Sequence, residues 1–277
     1  MEWIARAGTV APSSLRIVML LRPPERRSLI AGWSRWLGAF AVPVLVIVTI
    51  AHRSGLMPTD QALVLVAFAF AFAAVALILA SAAAVLVWHD GRRGGRDAAV
   101  GALWAVLALS PVAYLAVEWM DFPKVTDVST DVVDPPLYRE AAFLRAGRLN
   151  SARVPTQEER TRVRAAWPEI VTRRFAVGSD LLFFVTRRLV EEEGWKVTEM
   201  VQPAGDGERG RIEAVARTLV FGFEDDVVVR VLPEPSGSRI DMRSSIRWGS
   251  HDFGRNARRI RAFLDEVDRR VVASYGR

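Results

Sequence analysis

Hydrophobic and polar positions along this chain follow two different rhythms. In the N-terminal part they fall into unbroken apolar runs, Leu37–Ala51, Gln61–Trp88 and Ala98–Val117. The second carries no charge and exceeds the roughly 20 residues that a bilayer core requires. The first is shorter and holds Pro43, so it spans only with Trp33–Arg35 or His52 in the headgroup zone. The third holds Pro111, which a membrane helix tolerates. Trp36, Trp88 and Trp119 stand near run ends, where interfacial aromatics gather. The expectation is three N-terminal transmembrane helices.

After Trp119 the runs shorten. Asp121–Pro136 is rich in acids and prolines, and Pro135-Pro136 enforces an extended path, so it reads as a strap lying on the following domain. Leu137–Ile170 is helix-inclined and broken at Pro168. Ala176–Glu193 is helical, with Leu181, Leu182, Val185, Leu189 and Val190 on its apolar side and Gly194 as a C-cap. Trp195–Gln202, Arg211–Phe223, Asp226–Leu232 and Arg239–Trp248 read as strands. The short connections between them, Pro203–Gly210, Glu224–Asp225 and Pro233–Ser238, are hairpins. Gly205-Asp206-Gly207 and Gly210 mark a turn without making a phosphate-binding fingerprint. A last helix follows, with Phe253, Ala257, Ile260, Phe263, Leu264, Val267 and Val271 in one stripe. The fold class is therefore α+β. Three transmembrane helices precede a soluble domain with a four-stranded antiparallel meander packed against helices. The expected divisions are a basic cytoplasmic segment at 1–35, a three-span region at 36–119, an extended linker at 120–136 and a periplasmic domain at 137–277.

Charge orients this arrangement. The 277 residues carry a net +6, almost all of it through arginine; Lys124 and Lys196 are the only lysines. Arg6, Arg16, Arg22, Arg26, Arg27 and Arg35 precede or open the first span. Arg92, Arg93 and Arg96 crowd the second turn, whereas the Arg53 loop and the exit after Val117 are poor in basic residues. That alternation puts the N-terminus inside and, in a bacterial inner membrane, the C-terminal domain in the periplasm. The basic excess is thus explained by topology, not by nucleic acid. The spans hold little that is polar beyond Thr49, Ser81, Ser110 and Tyr114, which argues against a pump or transporter. No cysteine is present, so disulfides and thiolate metal sites are excluded.

Candidate chemistry concentrates in Arg239–Leu264. Ile240, Met242, Ser244, Ile246 and Trp248 alternate with Arg239, Asp241, Arg243, Ser245 and Arg247. Gly249 ends the strand, and Asp252 stands at a helix N-cap. Arg255, Arg258, Arg259 and Arg261 then crowd the first helical turns, an order that opposes the helix dipole and suits an anion. Arg243, Arg247, Ser250, Asp252, Asn256 and Arg259 are the candidate ligand-binding residues, for a phosphate, a lipid headgroup or a carboxylated glycan. The structural alternative is a cross-strand ion-pair lattice on a wet sheet face, with Arg261–Asp265 and Glu266–Arg270 pairing along the helix. The expected partners are the lipid bilayer and an anionic ligand or envelope protein; no metal or cofactor is implied. An envelope hydrolase using carboxylates such as Glu213 and Asp226 is the other functional class. His251 is the only histidine away from the spans, and its neighbour Asp252 is a poor catalytic partner for it.

Three segments carry a resemblance: VSTDVVDPP at Val128–Pro136, RIEAVARTLVFGFEDDVVVRV at Arg211–Val231 and RIDMRSSIRWGSHDFGRNARRIRAFL at Arg239–Leu264. From Val128 onward the chain resembles the family known as domain of unknown function 1499. Its last motif usually resembles R-S-x-S-R-x-G-[KR]-S-D-x-G-x-N. Arg243, Ser244, Arg247, Gly249, Asp252, Gly254 and Asn256 match it, whereas Ile246, Ser250 and His251 depart from it. The resemblance implies a helix-and-strand domain, often placed after membrane segments, and assigns no catalytic residue.

Overall fold

The structure is a computed structural model that describes residues 27–145, 150–204 and 208–275. The N-terminal segment before Arg27 and the Gly205–Gly207 turn therefore lie outside the described residues.

Helices α1 (Leu29–Arg53), α2 (Thr59–Asp90) and α3 (Gly95–Asp121) form a bundle, and each is long and apolar enough to cross a bilayer. Helix α1 exceeds its apolar run because Trp33–Trp36 continue the helix and Ser28 caps it by accepting from the Ala31 N–H. At 25 residues it reaches about 37 Å, against roughly 30 Å of hydrocarbon. The buried positions of α2 are Ala62, Val66, Ala69, Ala73, Ala76, Ala80 and Ala83, alternating steps of four and three along a single seam. Large side chains such as Phe40, Ile47, Phe68, Ile78 and Leu103 point outward. Small residues inside and large ones outside reverse the soluble pattern and suit helices that meet in lipid. The closest approach is at Gly101 of α3, where a Cβ would lie 2.7 Å from the Ser34 carbonyl carbon and 2.8 Å from the Arg35 nitrogen of α1.

The rest is an α+β domain of strands β1 (Asp127–Ser129), β2 (Arg173–Phe175), β3 (Lys196–Val201), β4 (Gly210–Arg217), β5 (Glu224–Glu234) and β6 (Gly237–Ile246). Its helices are α4 (Glu140–Leu144), α5 (Gln157–Ala166), α6 (Ser179–Glu192) and α7 (Arg255–Tyr275). The meander β3–β6 is present, but the sheet has six strands, not four. The two additions are three residues each, too short to show a period, and both pair with the free edge of β6. One of them, β1, comes from the segment expected as a strap. The expected Glu224–Asp225 turn is strand as well. The reversal is Thr218–Phe223, closed by the Thr218 N–H donating to the Phe223 carbonyl and the Phe223 N–H to the Thr218 hydroxyl.

One sheet face packs on α6 and α7. Ile212, Ala214, Val227, Val229, Val231, Ile240 and Met242 meet Leu182, Phe183, Val185 and Leu189 of α6, and Ala257, Ile260, Phe263, Leu264 and Val267 of α7. Phe183 takes the inward place expected of Leu181, and Phe253 precedes α7 at φ 54° instead of joining its stripe. The opposite face was expected to be wet. It is dry: Tyr138 and Ala141 pack over Val228, and Asp241 and Arg243 have no exposed surface.

The bundle meets the domain at two places. At the end of α3, Trp119 contacts the rings of His251 and Phe253, and Glu118 pairs with Arg258 at 2.9 Å. At the end of α1, His52 and Arg53 bind backbone carbonyls of the β4–β5 turn. Since Gly101 lies against the backbone of α1, which no rotamer change can move aside, Gly101→Val has to separate α1 from α3. We expect a loss of about 1–3 kcal/mol, read as a lower unfolding temperature in detergent micelles, with Gly32→Ala, which meets no atom within 4 Å, as the matched control.

Candidate functional site

Strand β6 alternates, and the sheet therefore divides the candidate residues between its two sides. Arg243 and Arg247 lie on the face away from α7, whereas Ser244, Asn256 and Arg259 meet on the α7 side. The expected convergence near Gly249 does not occur.

On the far side Arg243 is fully buried. Its guanidinium donates to the Asp127 carboxylate at 2.7–3.1 Å, to the Pro136 carbonyl at 3.0 Å and to the Arg153 carbonyl at 2.6 Å, and it stacks 4.5 Å over the Tyr138 ring. Burial pushes the Asp127 carboxyl up, against the opposing pull of Arg243. Arg247 donates to Asp226 at 2.7 and 3.0 Å and pairs with Glu224. Arg145 completes the Asp226 site at 2.6 Å and also reaches the Ser245 hydroxyl at 2.8 Å. Asp241 accepts from Arg230 at 3.0 Å and from the Thr172 hydroxyl.

The α7 side is built the same way. Asp225 accepts from Arg259 at 2.7 Å and from Arg255 at 3.1 and 3.2 Å. Arg259 also donates to the Ser244 hydroxyl at 2.8 Å, and that hydroxyl donates to the Asn256 side-chain oxygen at 2.9 Å. Asp252 is buried and accepts from the backbone N–H groups of Gly254 and Asn256, both at 3.0 Å. It therefore serves the start of α7, and burial raises its carboxyl pKa. Gly254 is needed twice over, since φ is 68° and a Cβ would strike the Phe122 ring.

The carboxylates of the hydrolase reading are also occupied. Glu213 accepts from the backbone N–H groups of Arg139 and Ala141 at 2.9 and 2.7 Å and pairs with Arg211. His251 packs against both the Trp119 and the Phe253 rings, and its Nδ1 accepts from the Phe253 N–H. On the helix surface Glu266 pairs with Arg270 as expected, but Arg261 pairs with Glu169, and Asp265 with Arg173. Among the described residues no group of three or more His, Asp or Glu could hold a metal ion.

Of the six candidates only Ser250 faces an open recess. It is lined by Lys124, Val125, Thr126, Asp127, Glu159, Arg162 and Ser250, and its volume is about 310 Å³. The carboxylates in it are already engaged: Asp127 by Arg243, and Glu159 by Arg153 through two 2.8 Å bonds and by the Thr156 N–H. Lys124 is exposed and makes no ion pair with a described residue; Arg162 holds only a loose 3.6 Å pair with Glu158. Sequence reasoning missed Lys124 and Arg162 because nothing in the local pattern announces that the strap and α5 converge on Ser250.

Removing Arg243 leaves the Asp127 carboxylate buried without its partner. Arg243→Ala is expected to cost about 3–5 kcal/mol in chemical unfolding, and adding Asp127→Ala is expected to recover part of that loss. Arg153 and the Thr156 backbone hold the Glu159 pKa down at about 2. A lowered carboxyl pKa stabilises above its unfolded value and loses that contribution as pH falls toward the folded one. Wild type should therefore exceed Glu159→Gln in unfolding temperature near neutral pH, the gap closing between about pH 4.5 and pH 2. A gap that does not change across this range would contradict the assignment.

No curated protein and no solved structure matches the chain. The family model described as "Protein of unknown function (DUF1499)" matches residues 127–267, a little over half of the chain. The match opens on β1 and closes within α7, so it includes the short edge strand as well as the meander. The motif residues Arg243, Ser244, Arg247, Asp252 and Asn256 are those that bind other segments of the domain, while the departures Ser250 and His251 face the recess and α3. On this match the chain belongs to the DUF1499 family, joined here to three helices able to span a membrane.

Proposed function

We propose that this is a bacterial inner-membrane protein, N-terminus cytoplasmic, whose periplasmic DUF1499 domain binds an anionic envelope component rather than catalysing a reaction. The single observation that carries this reading is the recess at Ser250. Its carboxylates are neutralised internally, which leaves Lys124 and Arg162 as its open charges. Lys124 follows the last residue of α3 by only three positions, close to where lipid headgroups would lie. Support for the orientation is the gathering of Arg27, Arg35, Arg92, Arg93 and Arg96 at the opposite end of the bundle. A phosphate or carboxylate fits a recess with a lysine, an arginine and a hydroxyl. The motif arginines Arg243 and Arg247 take no part in this, because each already binds carboxylates inside the domain.

The test is thermal unfolding of the intact protein in detergent with inorganic phosphate, glycerol phosphate or a uronic acid. A bound anion at one hundred times its dissociation constant stabilises by about 2.7 kcal/mol. We expect Lys124→Ala with Arg162→Ala to abolish the response and the surface change Arg188→Ala to leave it intact. A folded protein that responds to none of these anions, or a response that survives the double change, excludes the recess as the binding site.

A further inference from the structure

The β4–β5 turn, Thr218–Phe223, reads TLVFGF, and a hairpin turn this apolar is unexpected at a domain surface. It does not fold back onto the sheet's own core. Phe221 instead packs into the bundle beside Val48 of α1 and Ala62 and Val66 of α2. Arg53 donates to three successive carbonyls of the turn, Thr218, Leu219 and Val220, at 3.1, 2.6 and 3.2 Å. His52 bridges the Phe221 carbonyl at 2.7 Å and the Thr59 hydroxyl at 3.0 Å, with its ring 5.3 Å from that of Phe223. The turn is thus fixed to the helix ends by both its backbone and its aromatic side chains.

Its depth follows from α2. Asp60 and Gln61 are the last polar residues before the apolar run, and Ala62 and Val66 open it. Phe221 touches those first apolar turns, so it stands at the boundary between headgroups and acyl chains. Leu219 and Val220 are the two residues before it, yet 90% and 60% of their surface is exposed. At the same end of the bundle Leu56 is 84% and Met120 is 86% exposed. Apolar side chains bared together at the level where hydrocarbon begins match a lipid surface, with Arg53 satisfying the carbonyls that the turn would otherwise carry into it unpaired.

We propose that the β4–β5 turn inserts into the bilayer interface, so that the DUF1499 domain contacts lipid directly through Leu219 and Val220 as well as through its covalent link to α3. The inference requires that the helices span the membrane, but not that the recess at Ser250 binds anything, nor that the domain faces a particular side. Its occupant is the bilayer that surrounds the chain's own helices, because the turn continues the surface of α1 and α2.

The chain has no cysteine, which makes single-site labelling direct. The full-length protein is placed in nanodiscs of phosphatidylglycerol and phosphatidylcholine, with a small environment-sensitive fluorophore on Leu219→Cys, Ile78→Cys or Ser236→Cys. Ile78 is exposed in the middle of α2, and Ser236 is exposed in the β5–β6 turn, at the other end of the eleven-residue strand β5. Brominated lipid should quench the labels at Leu219 and Ile78, while aqueous iodide should quench the label at Ser236 several-fold more than that at Leu219. If Ile78 is quenched by lipid and Leu219 behaves like Ser236, the turn lies in water and the proposal fails on its own. If Ile78 is also untouched by lipid, the spanning reading falls and the proposal falls with it.

Discussion

Everything in the DUF1499 domain depends on one constraint, that charges taken out of water must be neutralised where they end up. Asp225 and Asp226 are adjacent at the start of β5 and therefore point to opposite faces of the sheet. Both are almost fully buried. Each is met by two arginines distant from it in the chain: Asp225 by Arg255 and Arg259 of α7, Asp226 by Arg145 after α4 and Arg247 after β6. A buried carboxylate without its partner would cost several kcal/mol. The two pairs consequently fix which helix covers one face and which segment covers the other, and they do so from two neighbouring residues.

Arginine suits this task better than lysine, and the composition follows. A guanidinium presents five donors in a plane, so a single side chain can bind a carboxylate and still satisfy backbone carbonyls from elsewhere. Arg243 joins Asp127, Pro136 and Arg153. Arg230 joins Asp241, Asp131 and Asp134. Arg53 joins the bundle to the β4–β5 turn. In a chain without cysteine these contacts tie loops that are distant in sequence, as disulfides do in many secreted domains. The energetic logic differs, since a disulfide acts largely through the unfolded chain whereas an arginine acts through the cost of leaving buried charges unpaired.

That logic also explains what could and could not be read in the sequence. Long periodic elements were legible because hydrophobic spacing is a local signal, as in the seam of α2 and the stripe of α7. The edge strands were not, because three residues carry no period and their partners lie far along the chain: Arg243–Ser245 for β1 and Ser238–Ile240 for β2. The Glu224–Asp225 pair looked like a turn because acids favour turns. Its place inside β5 is set by arginines at positions 255 and 259, invisible to any local window. The density of arginine and carboxylate on β6 was real, but alternation sends its members to different faces, and the strap then closes over one of them. A cluster in sequence became two internal networks in space.

The consequence for function runs through the same bookkeeping. A residue that resembles a family motif and carries charge invites a ligand, yet Arg243, Arg247 and Arg259 have spent their donors on the domain itself. What remains open lies on segments that join the domain to its helices or lie beside them: Lys124 just beyond α3, Arg162 on α5, Ser250 before α7, and Leu219 and Val220 in the turn that meets α1 and α2. His251 packs on Trp119 of α3, and Phe122, the residue after that helix, stacks on Trp167 of the domain. The membrane helices are thus part of the domain's structural environment, not only a tether. A domain whose charged interior is closed and whose open groups cluster where it meets its helices is organised to present that side.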